Sequence, residues 1–552
     1  MELITQHTKG IMEGCKERAK AAGLSFQDET LEYIVTNKDL LELSPKNMIP
    51  TLYDYWVHDV EVLKEKGKYE LYPHNPYETV INTRPAISFY NDNNPDWLNV
   101  MIFYHVLAHI DFFQNNYFFR HTWHEDFAGQ ALSDKRTIAQ LRSEKGRFVD
   151  YVIEFARGID NLVGYYNELS DLNRPEESKT FTKLDFYFDH FLQAVAKVPV
   201  QEYLKDVESY NQAVEQYGPM AESVFFSQVS RKYPEVEALF AAKLKEKKEK
   251  PKDLCQFIEE HSPFLQKEEN KWMKMVMEIV RKTSVYFQPQ IRTKILNEGW
   301  ASYWHEKLFI SDDRIKGNEV AFATVNAKVT SLPRVGLNPY ALGMRLFDHL
   351  EESADKGKIS YEFQKMQGLE ARKEFDQKTG QGRRFIFQVR ENFNDFMFIN
   401  TFVNQDFVDA YKLFVTGKRL NPEKNVWEYY IKSRKASAYK EMLLDSLYHP
   451  PFLKIHEPKV ETGVLYLDHQ FEGKPLVREY IGHTLLGIEY LWGGPVKLET
   501  TELLEDSDTH KSVLSFYNIP DPTKKDQPQA KVLKQRRVLY TMEKRKLSRT
   551  IL

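Results

Sequence analysis

The chain has 552 residues, a formal net charge of −4, 28% charged residues and 14% aromatic residues. That length allows two or three domains, each with its own core, and the near-neutral charge balance gives no global attraction to nucleic acid or to an anionic membrane. Cys15 and Cys255 are the only cysteines, which excludes a disulfide framework or a thiolate zinc cluster, so any metal must be held by His, Asp or Glu.

The start, "MELITQHTKGIMEGCKERAKAAG", lacks the basic head and continuous apolar stretch of a secretion signal. No window reaches the roughly 18 to 20 uncharged apolar residues of a spanning helix. The expectation is a cytoplasmic protein with no integral membrane segment. In chain order, "MEGCKERAKAAGLSF", "TLYDYWVHDVEVLKEKG", "NVMIFYHVLAHIDFFQNN" and "KGRFVDYVIEFARGIDNLVGYYNEL" carry apolar residues every three or four positions, the period of amphipathic helices. The run "KLKEKKEKPKD", Lys243 to Asp253, interleaves acids with lysines and is broken by Pro251, so it reads as an exposed linker or hairpin. More helix follows in "NKWMKMVMEIVRKTSVYF" and "NPYALGMRLFDHLEESA". Gly380 and Gly382 mark a turn before an expected strand, "FIFQVRE".

From Asn425 to about Thr500 the pattern becomes strand, helix, strand, strand, helix, strand. That is the order of a split β-α-β-β-α-β, ferredoxin-like unit. The predicted fold is therefore α+β: a mainly helical domain over residues 1–400, a C-terminal module over 401–505, and a basic tail over 506–552, read as frayed and solvated. Phosphate-loop, dinucleotide-binding and nucleophile-elbow signatures are absent.

Two separated segments carry metal-binding chemistry. In "YHVLAHIDFF", His105 and His109 are four apart, so on a helix they differ by about 40° in direction and about 6 Å in rise and can converge on one ion. Asp111 lies about 240° around the same helix from His105 and points elsewhere. In "ILNEGWASYWHEKL", Glu298 precedes Gly299, which allows a neighbouring helix to approach closely. Glu298 supplies an anionic third ligand that leaves a position open for water, as in catalytic zinc sites. His305, on the same face but about 10.5 Å further along the axis, suits contact with a ligand or substrate, or simple packing against Trp300 and Trp304.

The pieces "YETVINTRPAISFYND", "HVLAHIDFFQNN", "YFQPQIRTKILNEGWASYWHEKL", "LNPYALGMRLFDHLEE", "FQVRENFNDFMFINTFV" and "LYLDHQFEG…LWGGPVKLET" together resemble the SpoVR (stage V sporulation protein R) family, from about Tyr77 to Thr500. The resemblance implies a cytoplasmic protein tied to assembly of spore cortex peptidoglycan, with a PrkA-type serine kinase and a von Willebrand-A-like protein as partners. The site is also similar to that of gluzincin metallopeptidases, which implies His105, His109 and Glu298 as zinc ligands. It departs from them in having Val106 where their general base stands, and in the 189 residues that separate His109 from Glu298. A hydrolytic base must then come from elsewhere: Glu154, whose apolar neighbours suggest burial, or Asp160, His121, His124, Glu125, His305 or His469. Two functions follow as expectations. One is a metal-dependent hydrolase of an amide or ester in envelope formation, with zinc as the first guess. The other is a non-catalytic scaffold or regulator in a kinase-linked complex.

Overall fold

The computed structural model describes residues 2–552 apart from 28, 38, 41–63, 65–77, 124–126, 175–181, 199, 249–252, 422–425, 457–462 and 506–532. The helix expected over 51–67 lies outside the described residues. The described chain divides into two compact units, one of residues 1–165 with 254–552 and one of 166–253.

In the larger unit, β1 (Glu2–Leu3), α1 (Gln6–Ala21), β2 (Thr30–Val35), β3 (Glu78–Ile81) and β4 (Ala86–Asn91) come first. Their strands form a sheet in the order β1-β2-β4-β3, with β2 and β4 parallel and Thr30 opposite Ala86. Helix α2 (Asp96–Asn115) is apolar around its whole circumference, and every residue from Leu98 to Phe113 is buried. A helix without a polar face belongs inside a core: α1, α5 (Lys294–Ser311), α6 (Glu319–Thr330) and α8 (Gly382–Asn392) pack against it, α7 (Pro339–Asp355) and α9 (Asp395–Phe402) pack against α5, and α3 (Phe148–Ile159) and α4 (Lys271–Arg292) pack against each other. The main core joins Phe103, Tyr104, Phe112, Trp300, Trp304 and Phe347, among others.

Two devices fix α5. Its first turn is capped from a distance, because Asp395 accepts the Ile295 and Leu296 N–H groups at 2.9 and 2.8 Å. Burial pushes the Asp395 carboxyl up to about 7 against the pull of those amides. Further along, a Cβ on Gly299 would lie 2.4 Å from the Gly343 carbonyl carbon, and one on Gly343 would lie 2.2 Å from the Ile295 oxygen. The backbones of α5 and α7 touch where neither carries a side chain, as the Gly299 position predicts.

Segment 382–392 is a helix rather than the strand expected for "FIFQVRE". Its buried residues Gly382, Ile386, Val389 and Arg390 fall at helical spacing, and the aromatic content suggested a strand only because Phe is common in both environments.

The C-terminal part runs β5 (Val415–Asn421), β6 (Val426–Ser433), α10 (Ala436–Ser446), β7 (Phe452–Ile455), β8 (Leu465–Gln470), α11 (Arg478–Trp492), β9 (Val496–Glu505), β10 (Leu533–Glu543) and β11 (Lys546–Ile551). The expected strand and helix order is present, but the pairing is not ferredoxin-like. β6 pairs with β5 in a separate ribbon, and the sheet is β11-β10-β9-β8-β7, parallel only between β8 and β9. Residues 533–551, read from sequence as a solvated tail, supply two of its five strands, because Val538, Tyr540 and Met542 alternate into the core on one face of β10.

The smaller unit holds the helices Val200–Tyr217, Ala221–Lys232 and Val236–Lys248 around Phe186, Tyr187, Phe191, Phe225 and Phe226. The charged run from Lys243 thus begins as helix as far as Lys248.

Gly343→Ala is expected to lower stability by about 1 to 3 kcal/mol through overpacking at the α5–α7 contact. Gly10→Ala, where an added Cβ meets nothing within 4 Å, should be neutral or stabilising. Urea unfolding of both variants checks this.

Candidate metal centre

Helical spacing stacks His105 and His109 on one face of α2, and the capped, closely packed α5 brings Glu298 against them. His105 Nε2 and His109 Nε2 lie 3.1 Å apart, and Glu298 Oε2 is 3.8 Å from the first and 3.5 Å from the second. These three residues form the group among the described residues that could hold a metal ion. A triangle with sides of 3.1, 3.5 and 3.8 Å has a centre about 2.0 Å from each corner, close to the bond lengths of zinc with imidazole and carboxylate. The imidazoles are buried, whereas the Glu298 side chain keeps 17% of its surface exposed. Burial opposes charge on Glu298, yet the two imidazoles hold its carboxyl well below the usual carboxylate range.

Hydrogen bonds on the far side of each ring settle which nitrogen carries the proton. Asn326 Nδ2 donates to Glu306 Oε2 at 2.7 Å, so its Oδ1 is the atom facing His305 Nε2, which must donate across 2.9 Å. Burial and the neighbouring His105 push the pKa of His305 down to about 3, so its ring is neutral and its Nδ1 is an acceptor. The 2.9 Å contact between His105 Nδ1 and His305 Nδ1 then requires His105 Nδ1–H to donate. On the other ring, His109 Nδ1–H donates to Asn297 Oδ1 at 2.9 Å. With the outer Nδ1 of each ring engaged in donating, Nε2 is the nitrogen that each ring turns toward Glu298. A proton there is donated to the Glu298 carboxylate, and a cation bound between the three atoms would take that proton's place.

The other sequence candidates fall into separate places. His305 sits behind His105 instead of beside Glu298, and with His105 it lines a cavity of about 660 Å³. Glu154 is not buried among apolar neighbours: its side chain is 34% exposed and ion-paired with Arg157 at 2.8 Å, because it lies at the edge of the buried face of α3. His469 is buried on β8 with Nδ1 bonded to Thr500 Oγ1 at 2.8 Å, and lines a second cleft with Arg157 and Asp160. Asp160 accepts the hydroxyls of Tyr165 and Ser284. His121 is buried in the turn after α2, and His124 and Glu125 lie outside the described residues. Asp111 points away from the imidazoles, as expected, and takes the Ser25 N–H at 2.7 Å and the Trp300 Nε1–H at 2.9 Å, with Arg390 at 3.3 Å. Val106 is fully buried in the core.

Residues 3–449 match the family model described as SpoVR like protein. The chain belongs to that family. The match begins earlier than the resemblance read from sequence and ends before "LYLDHQFEG", so the sheet from β7 to β11 lies beyond it. This SpoVR-like chain is 23% identical over 333 residues to the uncharacterized protein YcgB of Escherichia coli (strain K12), an alignment that covers 58% of each chain. No solved structure matches it. Among the described residues, no helix of the SpoVR-like protein is long and apolar enough to cross a membrane.

Asp111→Ala is expected to cost about 3 to 5 kcal/mol, since it leaves the buried Arg390 guanidinium without its carboxylate. Chemical denaturation against the wild type measures the loss.

Proposed function

We propose that this SpoVR-like protein is a metal-dependent hydrolase of an amide or ester that acts in spore cortex or cell-envelope formation, with zinc as the first candidate ion. One observation carries the proposal: three candidate ligand atoms from two remote segments form a triangle of metal-binding size, with the outer nitrogen of each imidazole hydrogen-bonded and its Nε2 turned toward Glu298. His105, His109 and Glu298 would hold the ion, which when bound supplies Lewis acidity and a more acidic water. The chain's own residues orient the rings and bury both imidazoles and Glu298 Oε2, with only part of the Glu298 side chain reaching solvent. Val106 cannot accept a proton. His305, the sequence candidate nearest the centre, packs behind the His105 ring with both of its nitrogens hydrogen-bonded, so it orients that ring and does not take the proton.

That apolar Val106 favours a second function, a non-catalytic scaffold or regulator in a complex with a PrkA-type kinase, in which a bound ion would fix structure only. The two differ in what the ligand variants do. If the protein is a hydrolase, His105→Ala and Glu298→Gln abolish both stoichiometric metal and the cellular function; if it is a scaffold, kinase pull-down and phenotype survive the loss of metal. Elemental analysis of the purified wild type and variants is the first measurement, and equal metal content in all three would remove the metal centre.

Asn326→Leu, which breaks the hydrogen-bonded chain to His105 without touching a ligand, is expected to weaken metal binding by about 10- to 100-fold. Competition with a chelator reads the change.

A further inference from the structure

The cavity behind His105 is unlike the centre it adjoins. Its walls come from α2 (Met101 and Ile102), the end of α6 (Val329), the loop that leads into α7 (Val335 and Leu337) and the first turn of α7 (Tyr340). None of its lining side chains is Asp, Glu, Lys or Arg. At about 660 Å³ it lies within the range of small-molecule sites, which are mostly apolar with a few polar groups to set orientation. Here those groups include Asn326 and Ser331.

The loop adds an independent observation. Val335 is 46% exposed and Leu337 39% exposed, although both line the cavity. Two large aliphatic side chains at a concave mouth present apolar surface that an apolar occupant would remove from water. A charged or polyhydroxylated group would instead lose its hydration there without ionic partners. The wall shared with the metal centre is the His105 ring, stacked with Tyr340 at 6.1 Å between centroids and an interplanar angle of 17°. One face of the cavity is thus a single imidazole away from the triangle of candidate ligand atoms.

We propose that this cavity seats a neutral apolar chain, and that the substrate carries such a chain as the acyl group of the amide or ester cleaved at the adjoining centre. The assignment of the chain as part of a substrate rests on the hydrolase proposal; the affinity of the cavity for apolar groups does not. In the reaction, water adds to the carbonyl carbon, the C–N or C–O bond breaks, and the amine or alcohol leaves with a proton from that water.

The test uses the full chain and the neutral fluorophore N-phenyl-1-naphthylamine. Saturable binding is expected, with displacement by decanamide and not by glucose, and with the same affinity after chelator treatment. The exposed-site variants Val335→Glu and Leu337→Glu should fold normally and weaken binding by roughly tenfold or more. Absence of saturable binding, or equal decanamide affinity in wild type and both variants, overturns the cavity assignment. Probe binding in a protein that holds no metal and cleaves neither acetyl nor decanoyl p-nitroanilide leaves the apolar site standing and removes only the hydrolase. Cleavage of both anilides with equal kcat/KM and no probe binding removes the cavity and keeps the hydrolase.

Discussion

The backbone contact between Gly299 and Gly343 is the constraint on which the centre depends. Helices that meet through side chains lie about 8 to 10 Å apart, and a glycine on each side lets α5 and α7 come closer. Glu298 is the residue immediately before that contact, so the translation and rotation of α5 that satisfy the glycines also set where its carboxylate goes. Asp395, held from α9, fixes the other end of the helix by taking two N–H groups that would otherwise be unsatisfied. α5 is thus pinned at two points less than two turns apart, with Glu298 between them.

Polar groups inside so apolar a core need a complete set of partners. For the outer nitrogens of the two imidazoles the SpoVR-like chain meets this with two chains of hydrogen bonds, one from His105 through His305 and Asn326 to Glu306 and one from His109 to Asn297. Each ends on an oxygen acceptor, so each fixes a proton on the outer nitrogen of its ring. Asp111 performs a different task with the same economy, joining the Ser25 backbone, Trp300 and Arg390 at one buried carboxylate. Burial pushes that carboxyl up to about 6, against the attraction of Arg390.

What could be read from the sequence was what local periodicity encodes. Four-residue spacing gave the His105–His109 pair, and the Glu-Gly step gave both the third candidate ligand and the close helix contact. The α+β class followed from the change of pattern near residue 425. Asn326 and Asp395 could not be found this way, because they reach α5 through tertiary packing alone. Asn297 was nearer to hand, since it adjoins Glu298, but nothing in its own spacing points to His109. Glu154 was misplaced because apolar neighbours in sequence do not say which side of a helix a residue occupies. The ferredoxin-like expectation assigned β6 to the main sheet from strand order, whereas a nearer antiparallel partner, β5, was available across a short connection.

The last strands carry a practical consequence. β10 pairs with β9 along its length, from Leu533 opposite Glu505 to Met542 opposite Val496, and β11 then closes the edge, a strand of exposed residues that include Lys546 and the Glu502-paired Arg549. Basic side chains on an outer strand discourage another chain from adding to it. A polypeptide shortened to end near residue 505 would lose that guard and leave the donors and acceptors of β9 open to intermolecular pairing. Low solubility of such a fragment would then reflect an uncovered sheet edge and not a defect of the helical core.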